Sequence, residues 1–285
     1  MEIVHFIPPT QRRLALLAAQ TDSAPVLICG ASGTGKGIIA RWVHANSPRS
    51  GKLIMSASRE KALGAQIAEA QGGTLVVGEI GSWPLGEQKT LLNYLNTKSV
   101  AHPDGNGTRM LVNTRIMATT SQALEGRAQG GLFNAELLGK LNVFRLEMPE
   151  LAERTNELND IIRGILGEIT RELHKEHLKD FSADAWTKLK DYHWPGNLRE
   201  LRNVLRVATI TAQGDQIEAT DIPDFDHDRI DFRATREEFE KVYIMELLKT
   251  FNWQFDKTCR ISRIDKDVLM GKIKKYGITI PAPLS

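Results

Sequence analysis

The alternation of apolar and polar positions divides the chain into two regimes. Between residues 26 and 147, short apolar runs recur at Val26–Cys29, Leu53–Ser56, Thr74–Val77, Arg115–Thr119 and Val143–Glu147. Each has the length of a strand buried on both faces. Stretches with helical spacing lie between them, notably Ile38–Ala45, Arg59–Gln71 and Gly86–Asn96. Another precedes the first run and ends at Gln20, with Thr10 as the expected N-cap and Leu14, Leu17 and Ala18 on one face. Strands alternating with helices predict a mostly parallel sheet covered by helices. After Pro149 the pattern is helical throughout, over Glu157–Leu173, Ala183–Tyr192 and Asn197–Thr211. Asp221–Arg233 has no clear period and predicts a linker, after which Thr235–Tyr276 is helical again.

Composition narrows this picture only slightly. With 285 residues, 41% hydrophobic and 25% charged, the chain is an ordinary globular protein, and disordered, collagen-like or disulfide-scaffold classes are excluded. Lys and Arg number 37 against 35 Asp and Glu, so any contact with nucleic acid has to come from a local concentration of charge. Cys29 and Cys259 have neither zinc spacing nor a disulfide context and read as core residues. His174 and His177 sit among charged neighbours and read as a solvated helix face, so no metal site is expected. No apolar run nears the roughly 18 residues of a membrane span, and the N-terminus lacks a secretory signal. A cytoplasmic protein without a membrane partner is expected.

One motif carries chemistry. Gly30-Ala31-Ser32-Gly33-Thr34-Gly35-Lys36-Gly37 has the spacing of a phosphate-binding loop and lies between a predicted strand and a predicted helix. Its glycines let backbone N–H groups wrap a phosphate, the helix N-terminus adds a favourable dipole, and Lys36 reaches the outer phosphates.

Around this loop the sequence resembles the AAA+ domain of bacterial enhancer-binding transcription activators, which remodel sigma-54 RNA polymerase. The resemblance spans about residues 10–212. It is carried by the loop and by Gly72-Gly73-Thr74-Leu75 leading into Glu79-Ile80-Gly81. Pro84-Leu85 with Gln88 and Leu91-Leu92, Leu141-Asn142-Val143-Phe144, and Pro149 with Leu151, Glu153 and Arg154 add to it. The run Trp194-Pro195-Gly196-Asn197-Leu198-Arg199-Glu200-Leu201 is the most specific part. The resemblance implies an α/β AAA+ P-loop fold with a five-stranded parallel sheet and a helical lid subdomain. It also implies ATP or ADP as cofactor, self-association as a dimer or ring, and another regulator or RNA polymerase as partner.

The departures fall at the residues that do the family's chemistry. An acidic pair closes the family's third strand, its Asp holding magnesium and its Glu orienting the attacking water. The matching pair here is Gly78-Glu79, which leaves Glu79 as the residual water-orienting candidate and removes the Mg2+ ligand. Gly37 stands where a Ser, Thr or Glu is usual. Ser121 replaces the polar sensor Asn and is expected to act through water. The arginines that reach a neighbouring subunit's nucleotide align with Asn134 and Lys140, and Lys140 keeps a charge without the planar fork. Arg199, which senses the outer phosphate, is retained. The resemblance thus implies nucleotide binding by Gly30 to Gly37, Ser121 and Arg199, with magnesium retention and hydrolysis weakened. The crossover Ala57–Gln71 holds 15 residues, enough for a helix but not for an inserted loop. The family's Gly-Ala-Phe-Thr-Gly-Ala string, which touches the sigma factor, is absent, so remodelling of sigma-54 polymerase by the usual loop is not expected. Pro103-Asp104-Gly105-Asn106-Gly107 reads instead as a hairpin tip.

The last helices complete the expectation. Phe239, Val242, Tyr243, Glu246, Leu247 and Phe251 form a mostly apolar stripe. Lys257–Ile261, a turn near Ser262-Arg263-Ile264, and Asp265–Tyr276 resemble the Fis-like helix-turn-helix that closes many such activators, although Thr258-Cys259 and Arg263 depart from it. Lys257, Arg260, Arg263, Lys266, Lys272, Lys274 and Lys275 face only Asp265 and Asp267 within this stretch, which points to double-stranded DNA. The expected division is an AAA+ α/β nucleotide-binding subdomain over 1–150, a helical lid over 151–222, a linker over 223–235 and a helix-turn-helix domain over 236–285. About ten residues precede the first helix, so no input domain is expected. The expected function is a DNA-binding transcription regulator on a degenerate AAA+ domain. Two alternatives use the same residues: an active AAA+ ATPase that remodels polymerase or another protein, and an interaction subunit that modulates an intact activator.

Overall fold

The structure is a computed structural model that describes residues 6–49, 51–56, 61–102, 108–225, 241, 243–245, 247–251, 253–262 and 264–278. Arg263, the tip Pro103–Gly107, the start of the crossover at 57–60, residues 226–235 of the expected linker, and Phe239, Val242 and Glu246 lie outside the described residues. The chain forms two compact units, one of Met1–Glu157 with Pro195–Arg199, the other of Leu158–Trp194 with Glu200–Ser285.

In the first unit the strands are β1 (Val26–Gly30), β2 (Leu53–Ser56), β3 (Thr74–Val77), the short β4 (Ser99–Ala101) and β5 (Arg109–Leu111), then β6 (Arg115–Thr120) and β7 (Phe144–Met148). Five of them form one parallel sheet in the order β2-β3-β6-β1-β7, while β4 and β5 pair as a separate antiparallel hairpin. The helices are α1 (Pro9–Gln20), α2 (Lys36–Ala45), α3 (Leu63–Glu69), α4 (Leu85–Thr97), α5 (Leu124–Gln129) and α6 (Ala135–Leu141). Successive strand residues point to opposite faces, and each face has its own core. Leu27, Leu75, Val77, Ile116 and Ala118 meet residues of α3, α4 and α6 on one side. Val26, Ile28, Val76, Met117 and Leu146 meet α1 and α2 on the other. Burial on both faces is why these strands read as continuous apolar runs. Each fully buried Leu or Ile contributes about 1.5–3 kcal/mol of transfer free energy.

Helix α1 differs from its sequence reading at two points. It starts at Pro9 with Pro8 as N-cap, not at Thr10, because proline at the first helical position forfeits an N–H that would have no intrahelical partner. Leu17 is 45% exposed, and Ala15, Ala18 and Ala19 form the buried stripe, since small side chains let the helix lie close to the sheet. At the N-terminal end of β6 the wholly buried Arg115 donates to the Ala18 and Ala24 carbonyls, and Arg49 donates to the Gly73 and Asn113 carbonyls. Burial, with the nearby Arg49 charge, lowers Arg115 to about 10. These arginines tie loops to the N-terminal end of the sheet strands, opposite the phosphate loop.

In the second unit, α7 (Leu158–Glu172), α8 (Ala183–Asp191) and the body of α9 (Asn197–Thr211) bury Ile161, Ile165, Ile169, Leu189, Leu201 and Leu205. Arg202 pairs with Glu168 and Arg206 with Glu172 across α9 and α7. Ile222 is buried and the Phe225 ring stacks on Tyr192 at 4.0 Å, so the beginning of the expected linker is packed in place. Further on, Ile244, Leu248, Leu269, Ile273 and Ile278 form a small core beneath the helices Phe255–Ser262 and Lys266–Lys275, with Cys259 packed against it. Among the described residues no helix is long and apolar enough to cross a membrane.

Candidate functional site

The phosphate loop leaves the C-terminal end of β1 and enters α2. Gly30 and Gly33 are required by close approach: a Cβ on Gly30 would lie 2.4 Å from the Met148 carbonyl, and one on Gly33 would lie 2.2 Å from the Gly196 carbonyl. The Thr34 hydroxyl closes the turn by donating to the Ala31 carbonyl at 2.9 Å. Lys36, only 8% exposed, opens α2 and folds its ammonium back across the loop. Its Nζ donates to the Gly30 and Ala31 carbonyls at 2.7 and 2.9 Å and lies 3.3 Å from Glu79 Oε1.

Sheet order explains this meeting. Strand β6 lies between β3 and β1, so the residues that follow β3 and β6 emerge beside the loop that follows β1. Glu79 follows β3 with a left-handed backbone, φ 48°, and its N–H donates to the Thr119 hydroxyl at 3.3 Å. That turn brings the carboxylate over β6, where Oε2 accepts the Ser121 backbone N–H at 2.8 Å and the Ser121 hydroxyl at 2.7 Å. Burial works against the charge, but these two hydrogen bonds and the Lys36 ammonium outweigh it and hold the carboxyl below its ordinary range. Ser121, expected to meet a nucleotide through water, is thus also a direct hydrogen-bond partner of Glu79.

The two positions that the resemblance compares with oxygen ligands for a magnesium ion, Gly78 and Gly37, hold glycine. A Cβ on Gly78 would meet only the Ser56 carbonyl, at 3.4 Å, and one on Gly37 only the Met55 methyl, at 3.6 Å. Space for a side chain exists at both. Among the described residues no cluster of three His, Cys, Asp or Glu side chains could hold a metal ion. Cys29, beside the loop on β1, is pushed up to about 11 by burial and the Glu147 charge, which makes it a poor nucleophile.

Asn197, at the start of α9, fastens the loop from its other side, a role that its place in the run Trp194–Leu201 does not by itself announce. It is 1% exposed with φ 55°, a backbone conformation Asn tolerates better than most residues. Its Oδ1 accepts the Leu151 N–H at 2.7 Å and its Nδ2 donates to the Ser32 carbonyl at 3.1 Å. Arg199 donates its backbone N–H to the Gly33 carbonyl at 3.3 Å, and its Nη1 lies 3.4 Å from the Ser32 hydroxyl. Replacing Asn197 with Gly keeps the backbone conformation and leaves two polar groups without their partner. Urea unfolding followed by tryptophan fluorescence is expected to show a loss of about 2–3 kcal/mol in the first unit.

The positions aligned with trans-acting arginines are placed differently. Asn134 is the N-cap of α6, its side chain accepting the Leu137 N–H at 2.9 Å, so it serves the helix that carries its companion. Lys140 is exposed in the last turn of the same helix. Gln88 holds this region to α4: its amide donates to the Trp83 and Leu132 carbonyls and accepts the Asn134 N–H at 2.8 Å.

Residues 7–151 match the sigma-54 interaction domain family, and residues 152–238 match the AAA+ ATPase lid domain family. The chain belongs to the sigma-54 interaction domain family. It is 32% identical over 289 residues to the alginate biosynthesis transcriptional regulatory protein AlgB of Pseudomonas syringae pv. tomato, an alignment that covers 91% of this chain and 63% of AlgB. It is 31% identical over 294 residues to the regulatory protein AtoC of Escherichia coli, covering 90% of this chain and 63% of AtoC. The chain therefore spans less than two thirds of the length of these relatives. Among solved structures, NtrX from Brucella abortus in complex with ADP is similar with a TM-score of 0.67 and 26% identity, over 94% of this chain and 68% of that one. The AAA+ P-loop fold with a five-stranded parallel sheet, which the resemblance implies, is the fold observed.

The basic residues of the closing helices are distributed over two short elements. Lys257 and Arg260 are exposed on the helix Phe255–Ser262, and Lys266, Lys274 and Lys275 are exposed on the helix Lys266–Lys275, with Lys272 half-buried. Lys266 pairs with Asp256 at 2.8 Å across the two helices.

Proposed function

We propose that the chain is a DNA-binding transcription regulator whose phosphate loop holds ATP or ADP as an assembly or sensing element rather than as fuel. The observation that supports this most directly is the Lys36–Glu79–Ser121 arrangement beside two glycines. The loop, the α2 N-terminus, Lys36 and Arg199 supply what a polyphosphate needs. The family's usual magnesium ligands are absent at Gly78 and Gly37, so the residues present fit the phosphates and do not fit the ion. Hydrolysis also lacks the trans-acting fork, since Asn134 caps a helix and Lys140 offers a point charge. NtrX in complex with ADP and with ATP shows that a related fold accepts these nucleotides. The closing helices, with six of the seven expected basic residues described, supply the DNA-binding part. Without the Gly-Ala-Phe-Thr-Gly-Ala string the protein acts on transcription through self-association or through another regulator, not by remodelling sigma-54 polymerase through that loop.

Calorimetric titration with ATP and ADP, in magnesium and in EDTA, tests the reading. The affinity is expected to change by less than about threefold between the two buffers, and steady-state phosphate release is expected to stay at background. Magnesium-dependent turnover near about one per second would refute it.

A further inference from the structure

The N-terminal end of the parallel strands buries two guanidinium groups. The Arg49 side chain is only 2% exposed, and Arg115 is wholly buried. Arg49 is almost fully engaged: Nε donates to the Asp22 carbonyl, Nη1 to the Gly73 and Asn113 carbonyls, and Nη2 to Asn113 Oδ1 at 2.7 Å. Its Nε also lies 3.0 Å from Asp22 Oδ1. Arg115 is engaged on one side only. A guanidinium has five N–H donors. Nε of Arg115 donates to the Ala24 carbonyl at 3.0 Å, and Nη2 to the Ala18 carbonyl at 2.6 Å and the Thr21 hydroxyl at 3.1 Å. The two N–H groups of Nη1 are left over, and Nη1 is itself buried with no hydrogen-bond partner among the described residues.

The charge around this nitrogen is as one-sided as its hydrogen bonding. Every hydrogen-bond partner of Arg115 is a neutral oxygen. Asp22, the acid that acts on it, is 63% exposed and already paired with Arg49. The positive field reaches further. Burial, then the Arg115 and Arg49 charges, hold His44 below its ordinary range, and burial, then Arg49, do the same to Lys98. A buried charge is costly unless it is paired, so this end of the sheet favours a counter-ion.

We propose that Arg115 Nη1 holds a small monatomic anion of the chloride class. The donors set its size: a tetrahedral oxyanion needs hydrogen bonds to several oxygens, whereas the other N–H groups of Arg115 are already given to Ala18, Thr21 and Ala24. The field sets its charge: a water molecule on Nη1 would have to aim its own hydrogens toward neighbouring cations, while an anion is drawn to them. The route from solvent is short, since Asp22 and Ser23 are exposed and Thr21 and Ala24 half-buried in the segment that Arg115 holds. An ion bound there stabilises the first unit by mass action.

The test follows thermal unfolding of the full chain by tryptophan fluorescence in sodium chloride and in sodium gluconate at equal ionic strength, gluconate being too large for the site. Exchanging about 300 mM gluconate for chloride is expected to raise the melting temperature of the first unit by about 3 °C or more, and bromide is expected to act as chloride does. Crystals grown in bromide are expected to show an anomalous peak within hydrogen-bond reach of Arg115 Nη1. Arg115→Lys, which lacks that nitrogen, is expected to lose the halide effect. Where that variant fails to fold, Asp22→Asn carries the test. It removes an exposed carboxylate, so the chloride midpoint is expected to fall about twofold or more, a change that arginines serving only as struts would not produce. Superimposable melting curves in chloride and gluconate, bromide crystals without a peak at Nη1, or an unmoved midpoint in Asp22→Asn would overturn the inference and leave the nitrogen to an ordinary water.

Discussion

Lys36→Ala is expected to weaken ATP binding by about 100-fold, whereas Glu79→Gln is expected to strengthen it. The lysine supplies a charge-assisted contact to the outer phosphates, and such contacts are worth about 1.5–3 kcal/mol. Its loss is felt fully because the proposed site has no ion to share the phosphate charge. Glu79 acts in the opposite sense. Its carboxylate lies 3.3 Å from the Lys36 ammonium and so competes with the phosphates for that cation. Glutamine keeps the shape, keeps an acceptor for the Ser121 hydroxyl, and removes the charge. A gain of about tenfold in affinity for Glu79→Gln is expected, larger for ATP than for ADP because the third phosphate carries the extra charge. The measurement is the same calorimetric titration in EDTA. In an enzyme that used Glu79 and a magnesium ion for hydrolysis, the same substitution would be read chiefly in turnover; here the effect is expected in affinity alone. Equal affinities for the parent chain and Lys36→Ala would remove the loop from the site.

The phosphate loop was legible in the sequence because its glycines and lysine are contiguous and their spacing is dictated by backbone geometry around a phosphate. The five sheet strands were legible for a similar reason: burial on both faces leaves a run such as Thr74–Val77 with no competing helical period. Partner choice between distant segments was not legible. Nothing in the run Arg115–Thr119 says that it lies between β3 and β1, and without that placement the bond from Ser121 to Glu79 cannot be foreseen. The N-cap at Asn134 was hidden for another reason. Its side chain was weighed as a missing charge, while its service to the Leu137 N–H depends on where α6 starts, and a helix of seven residues has too little periodicity to announce its start. Leu17 misled because spacing alone does not say which side of an apolar-rich helix meets the sheet. Three alanines won the contact by letting the backbone approach.

Restoring the metal ligand separates binding from chemistry. Gly78→Asp is expected to fold, because the nearest atom to its Cβ is the Ser56 carbonyl at 3.4 Å and the backbone there needs no glycine. The Trp83 indole would keep its hydrogen bond, since it donates to the Gly78 carbonyl and not to a side chain. The variant should acquire a dependence on magnesium, with ATP bound about tenfold or more tighter in the presence of the ion than in EDTA. Its phosphate release should nevertheless stay at background. Positioning an ion does not supply charge from a neighbouring subunit, and loss of such an arginine alone costs on the order of 10³–10⁵ in rate. Turnover is therefore expected only when Asn134→Arg and Lys140→Arg are added. These additions are not symmetrical. Lys140→Arg exchanges one exposed cation for another, while Asn134→Arg removes the cap of α6 and costs about 1 kcal/mol of local stability. Gain of hydrolysis in the triple variant, together with its loss on dilution below the concentration at which the chain associates, would place the missing function at these three positions. Hydrolysis by Gly78→Asp alone would mean that Lys140 already suffices, and that the ion was the only thing lacking.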